Sequence, residues 1–151
     1  DSQINGRGQY GRKWISYKGN LFVSFFQELN KIKFSISTLT TLNCLLVKKI
    51  ISKYTKKKIY FKKPNDLLIE KKKVCGILQE IIYKSNKKYL ITGIGINISK
   101  SPNIKNYPTT NLFDLTNIKI TSNEAILKLI KIYEKYIPIL PKFNIKNIDK
   151  I

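Results

Sequence analysis

The run from Tyr89 to Ser99 constrains the fold more than any other stretch of the chain. Side chains along a strand alternate between its two faces, so Ile94, Ile96 and Ile98 share one face while Gly93, Gly95 and Asn97 share the other. The first face needs an apolar layer laid over it. The second is stripped to main chain at alternate positions, which suits either a flat ligand resting on backbone or the close packing of a helix. Val74 to Ile82 reads as a neighbouring strand, joined through the polar link Lys84-Ser85-Asn86-Lys87.

The remaining elements follow from periodicity. Residues 1–20 read as loop, and Leu21 to Phe26 as a strand. Leu39, Leu42, Leu46, Ile50 and Tyr54 recur at helical spacing after a capping serine, ending in a turn at Lys56-Lys57-Lys58. Lys58 to Phe61 and Leu67 to Ile69 read as strands about the turn Lys62-Lys63-Pro64-Asn65-Asp66, with a further turn at Lys71-Lys72-Lys73. A loop runs through Pro102 and Pro108. Thr121-Ser122-Asn123-Glu124 matches a capping box, and Ile126, Leu129, Ile130, Tyr133 and Ile137 form a helical stripe ended by Pro138.

The bulk numbers exclude several classes. At 151 residues and 42% hydrophobic, the chain buries one good core, so one domain is expected. The absence of histidine removes Ser-His-Asp chemistry and histidine metal sites. Cys44 and Cys75 each sit in an apolar run and read as buried free thiols of a reducing cytoplasm. No run approaches the ~18 apolar residues of a membrane helix. The net charge of +20 raises nucleic acid as a partner. The lysines are scattered along the whole chain, however, so a compositional bias accounts for them and no specific nucleic acid is expected. The field would still steer an anionic substrate.

Against that lysine background, both arginines of the chain, Arg7 and Arg12, fall within Gly6-Arg7-Gly8-Gln9-Tyr10-Gly11-Arg12. A guanidinium offers a planar fork of donors that lysine cannot supply. With backbone N–H groups freed by its glycines, this segment can face phosphate oxygens. It is neither a Walker loop nor a dinucleotide fingerprint. The turn Lys62 to Asp66 brings a cation, an amide and a carboxylate together and could hold phosphate, ribose or hydrated magnesium. Lys73 to Glu80 sets a cation three residues ahead of Gly76.

Five segments, in order, resemble the catalytic domain of biotin protein ligases. They are Gln3 with Gly6-Arg7-Gly8-x-x-Gly11-Arg12-x-Trp14, Gly19-Asn20-Leu21, Lys62-x-Pro64-Asn65-Asp66, Lys73-Val74-x-Gly76-Ile77-Leu78-x-Glu80 and Gly93-Ile94-Gly95-Ile96-Asn97. The resemblance covers about residues 1–115 closely and the final helix loosely. It implies an α+β fold with a central mixed, largely antiparallel sheet flanked by helices, related to class II aminoacyl-tRNA synthetases. It also implies ATP and biotin as substrates, with Mg2+, and a biotin carboxyl carrier domain of a carboxylase as acceptor. No dedicated metal ligand is assigned. By the same resemblance Gln3, Arg7, Gly8, Gln9, Lys73 and Gly76 lie at the biotin end, and Arg12, Trp14, Asn65, Asp66, Gly93 and Asn97 at the adenylate end. Lys73, Lys62 and Arg7 are the expected catalytic cations.

The sequence also departs from the family. Gln9 stands where another arginine is common, and Lys63 where tryptophan is usual. The chain opens at Asp1, so an N-terminally incomplete single domain is expected over 1–151, without the upstream Ser/Thr segment, a DNA-binding helix-turn-helix or a C-terminal barrel. A lipoate-type acyl ligase and a basic nucleic-acid-binding module are the alternatives. Homodimerisation through the sheet stays open.

Overall fold

The computed structural model describes residues 2–29 and 32–142. Strands β1 (Leu21–Glu28), β2 (Ile59–Lys62), β3 (Asp66–Ile69), β4 (Lys72–Lys84) and β5 (Lys87–Ile96) form a single sheet in the order β1-β5-β4-β3-β2. All four neighbouring pairs are antiparallel; among the described residues the only parallel pairing is an isolated bridge between Lys73 and Thr109. Helices α1 (Ile36–Ile51) and α3 (Ser122–Tyr136) pack against each other and against one face of the sheet. The short helix α2 (Leu112–Thr116) precedes α3.

The apolar face of β5 is covered as its pattern demands. Ile94 and Ile96, with Ile77, Leu67 and Ile69 of neighbouring strands, join Leu42, Leu46, Val47 and Ile50 of α1 and Leu129 of α3 in one core. Tyr133 of α3 stacks on Phe25 of β1 with ring centroids 4.1 Å apart, and its hydroxyl donates to buried Asn43 of α1. Asn43 in turn donates to the Leu39 carbonyl at 2.8 Å, so the buried polar pair is satisfied. Cys44 and Cys75 are both buried free thiols within this core. Burial pushes the Cys44 thiol up to about 12 and that of Cys75 also well upward, so neither is a nucleophile.

Several expectations shift by a few residues. The turn expected at Lys71-Lys72-Lys73 is instead the pair Glu70-Lys71, at φ 51° and 62°, because Lys72 and Lys73 are drawn into β4 to pair with Ile69 and Leu68. Successive left-handed residues are what a two-residue hairpin requires. The β4–β5 link does the same with Ser85-Asn86, at φ 49° and 59°. The strand expected to reach Ser99 ends at Ile96: Asn97 N still donates to the Val74 carbonyl of β4, but the Asn97 and Ile98 carbonyls accept from Leu112 N and Phe113 N of α2. At α3 the Thr121 hydroxyl accepts from Glu124 N at 3.1 Å, but the Glu124 carboxylate pairs with Lys128 rather than completing the box. Helix α2 was not expected, because five residues are too few to show periodicity.

Asn20 ties the N-terminal segment to the end of β5. Its buried Oδ1 accepts from the backbone N–H groups of Ile98, Ser99 and Lys100 at 3.0, 2.9 and 3.2 Å, and Nδ2 donates to the Lys100 carbonyl at 2.8 Å. Removing the amide strands several of these groups. Asn20→Ala should therefore lower stability in urea unfolding by about 2–4 kcal/mol. Asn123→Ala, on the exposed first turn of α3, should stay within about 0.5 kcal/mol. Equal small losses would show that Asn20 is not the tie.

Candidate active site

The face of the sheet away from α1 and α3 carries one continuous row of residues. Register places Phe22, Gly95, Gly76, Asp66 and Lys62 side by side, one from each strand. A second row holds Ser24, Gly93 and Leu78. The sheet thus presents bare backbone at its centre, with a carboxylate and an ammonium on the β3–β2 side. A cleft of about 670 Å³ opens over it. That is the size of a small-molecule site.

Strict alternation from Gly76 would put Lys73 on the opposite, core-facing side. A β-bulge prevents this. Leu67 pairs with Cys75 and Leu68 with Lys73, so β4 holds one extra residue, Val74, between them. Val74 and Cys75 both enter the core, and Lys73 is re-aimed onto the cleft face. There its ammonium lies 2.7 Å from Asp66 Oδ1, with both side chains largely buried. The approach lies off the hydrogen-bonding direction, so the contact is charge against charge. Asp66 Oδ2 accepts a hydrogen bond from the Tyr107 hydroxyl, and Lys62 Nζ reaches that same hydroxyl at 3.4 Å. Burial, followed by the bond to Asp66 and its charge, raises the Tyr107 phenol well above its ordinary range.

The glycine-arginine segment, expected to be loop, is a small hairpin. Gly8 N donates to the Arg12 carbonyl at 2.6 Å and Trp14 N to the Gly6 carbonyl at 2.9 Å, with Gln9–Gly11 as a 3-10 tip. Tyr10, at φ 56°, and Gly11, at φ 71°, take the left-handed conformation there. Arg7 meets Glu80 of β4 at 3.4 Å on an exposed surface, a weak contact of the kind that opens readily. At the base of the hairpin the Trp14 indole lies on the central glycines. A Cβ at Gly95 would stand 2.4 Å from Trp14 Cζ2, and one at Gly76 would stand 2.8 Å from Cζ3, so neither position tolerates a side chain without moving the ring. Lys73 Nζ sits 5.0 Å from the indole centroid, within reach of a cation–π contact. The indole Nε1 is buried without a hydrogen-bond partner among the described residues. Gly93 is not covered in this way: a Cβ there would meet only ordinary contacts from 3.6 Å outward.

Of the residues singled out from sequence, Gln3, Arg7, Gly8, Gln9, Arg12 and Trp14 line the cleft from the hairpin side, and Asn65, Asp66, Lys73, Gly76, Gly93 and Asn97 from the sheet. Lys62 stands just behind them and touches the cleft through Tyr107. Two amides have commitments of their own. Asn65 Nδ2 donates to the Ile77 carbonyl at 2.6 Å, and Asn97 Nδ2 to the Thr110 carbonyl at 3.2 Å. The helix weighed as a cover for the bare face lies elsewhere: α1 and α3 pack on the opposite face, and the chain's own Trp14 rests on Gly76 and Gly95. Sequence reasoning missed Tyr107, which lies in an irregular loop with no periodicity or motif around it.

Magnesium fits this site poorly as a protein-held ion. No group of three Asp, Glu, Cys or His side chains is gathered among the described residues, and Asp66 already faces Lys73 and Tyr107. Magnesium would have to arrive with the phosphates of a nucleotide, which is how it is commonly bound. Among the described residues no helix is long and apolar enough to cross a membrane.

Comparison with known proteins agrees with this geometry. The chain is 32% identical over 99 residues to the bifunctional ligase/repressor BirA of Escherichia coli, covering 64% of this chain and 31% of that protein. It is 35% identical over 106 residues to biotin–protein ligase 2 of Arabidopsis thaliana, covering 65% and 31%. The chain therefore spans about a third of the length of these relatives. In structure it resembles a biotin protein ligase of Aquifex aeolicus solved in complex with biotin and ATP, at 30% identity and TM-score 0.83, over 97% of this chain and 62% of that one. Residues 1–97, including every site residue singled out from sequence, match the biotin/lipoate A/B protein ligase family, and the chain belongs to that family.

Proposed function

We propose that this chain carries the adenylate-forming site of a biotin protein ligase. The biotin carboxylate attacks the α-phosphorus of ATP, and pyrophosphate leaves. A lysine amine of a biotin carboxyl carrier domain then attacks the acyl carbon of biotinyl-5′-adenylate, and AMP leaves. The observation that carries the reading is the Lys73 ammonium, re-aimed by the bulge and held 2.7 Å from Asp66 over a glycine floor. An anion entering the cleft meets a fixed, partly desolvated cation, which gains most as charge concentrates on the transferring oxygen. A relative named biotin–protein ligase and the biotin- and ATP-bound neighbour support the same reading.

Within it, Gln3, Arg7, Gly8, Gln9 and Gly76 sit with Lys73 at the biotin end. Arg12, Trp14, Asn65, Asp66, Gly93 and Asn97 sit at the nucleotide end, with Lys62 behind Tyr107 as a further cation for phosphate. Trp14 has one face on Gly76 and Gly95, so only its outer face and edge are left to the nucleotide. The committed amides of Asn65 and Asn97 shape the floor more than they grip the ligand. Magnesium enters as Mg-ATP. Residues 1–151 belong to one catalytic domain, and the buried free thiols suit a reducing compartment such as the cytoplasm.

Labelled pyrophosphate should exchange into ATP only when biotin is present; exchange supported by lipoate and not by biotin would overturn the assignment. Lys73→Ala should lower that exchange by about two to three powers of ten, the loss typical of one preorganised charge-stabilising donor. Lys57→Ala, whose ammonium pairs with exposed Glu70 far from the cleft row, should leave it almost unchanged. Gln9 lies on the hairpin where a second arginine is common in the family. A charge-assisted bond is roughly twice as strong as a neutral one. Gln9→Arg should therefore slow escape of preformed biotinyl-adenylate in a pulse-chase by about tenfold, for a difference of about 1.4 kcal/mol. Unchanged or faster escape would show that the hairpin does not retain the intermediate.

A further inference from the structure

We propose that Tyr107 is a positioning residue that, acting through Asp66, sets how much of the Lys73 ammonium is left for an incoming anion. Asp66 has two oxygens and two partners: Oδ1 faces Lys73 at 2.7 Å, and Oδ2 accepts the Tyr107 hydroxyl. Each partner draws charge to its own oxygen. With the phenol in place, the carboxylate is shared and its orientation fixed, so its hold on Lys73 is limited. Without it, Lys73 becomes the only strong partner left, and the ion pair tightens at the expense of any substrate carboxylate or phosphate.

The phenol is held in this role from three sides. The Lys73 N–H donates to the Pro108 carbonyl at 2.8 Å, and Thr110 N donates to the Lys73 carbonyl at 2.9 Å, so the loop carrying Tyr107 is bonded to the main chain of Lys73 itself. Lys62 Nζ lies 3.4 Å from the Tyr107 oxygen and 4.4 Å from its ring centroid, polarising the O–H towards Asp66. Burial and the neighbouring carboxylate keep the phenol protonated, hence a donor, at any working pH. The chain Lys62–Tyr107–Asp66–Lys73 thus runs along one side of the cleft, and its loop end is built by residues outside the five sequence motifs.

The inference takes its substrate from the proposed adenylation, but the coupling can be read without any substrate. Trace acetylation by acetic anhydride, mapped by mass spectrometry, reports how free the Lys73 amine is, with Lys53 in the same sample as reference. Tyr107→Phe keeps the ring and removes only the hydroxyl. It should slow Lys73 acetylation about fivefold relative to Lys53, a fraction of what a bond to a charged group is worth. A residue that merely braced the loop would, on removal, loosen Lys73 and speed its labelling; unchanged or faster labelling overturns the proposal. In the Asp66→Asn background the same Tyr107→Phe change should have no further effect, and slowing that persisted there would equally overturn it. In biotin-dependent pyrophosphate exchange, Tyr107→Phe should lower kcat/KM for biotin several-fold, with kcat falling because the Lys73 cation counts most in the transition state; an unchanged kcat/KM in a variant whose Lys73 labelling is slowed would contradict positioning. Absence of exchange in the unaltered protein would refute the biotin reading while the labelling result still decides the role of Tyr107.

Discussion

Lys73 reaches Asp66 only because β4 holds one more residue than β3 where they pair. An unbulged ladder would bury the ammonium among Leu67, Ile77 and α1, where an unpaired charge costs several kcal/mol. The bulge sends Val74 inward in its place and delivers the cation to a face that is otherwise backbone. Everything else in the cleft is arranged about that point. Asp66 balances the charge, and the 107–110 segment pairs with the Lys73 main chain freed by the irregularity.

The bare row explains the tryptophan, and the tryptophan explains the glycines. An indole can lie on β4 and β5 only if Gly76 and Gly95 carry no Cβ, and placing it there brings the hairpin down over Lys73. Asn20 closes the same arrangement from below by gathering three successive N–H groups at the end of β5. The hairpin, the sheet centre and the following loop are therefore one packed unit. The Arg7–Glu80 contact at its outer edge is exposed and weak, which is where such a unit would open.

Much of this was legible from residues alone. The alternation in Tyr89–Ser99 predicts both the core face and the bare face, and the helical stripes identify α1 and α3. The rarity of arginine singles out the hairpin. The bulge was not legible, because the pattern Lys73-Val74-Cys75 is compatible with plain alternation and only three-dimensional packing decides that Val74 and Cys75 both go inward. Tyr107 was hidden for a related reason: its partners, Asp66 and Lys62, lie about 40 residues away across three strands, and loop sequence carries no periodic signal of such a contact. The turn at Glu70-Lys71 was displaced because left-handed turns without glycine leave little trace in sequence.

The central claim is that a ligand with a carboxylate or phosphate binds over the glycine row, against Trp14 and Lys73. Trp14 is the chain's sole tryptophan, so its emission reports that surface without interference. Titrating the protein with biotin and ATP together should shift or quench this emission saturably, because ligands entering the cleft change the surroundings of the indole. An emission spectrum that stays constant when both substrates are saturating, in a protein shown to bind them, would place the site elsewhere and contradict the account.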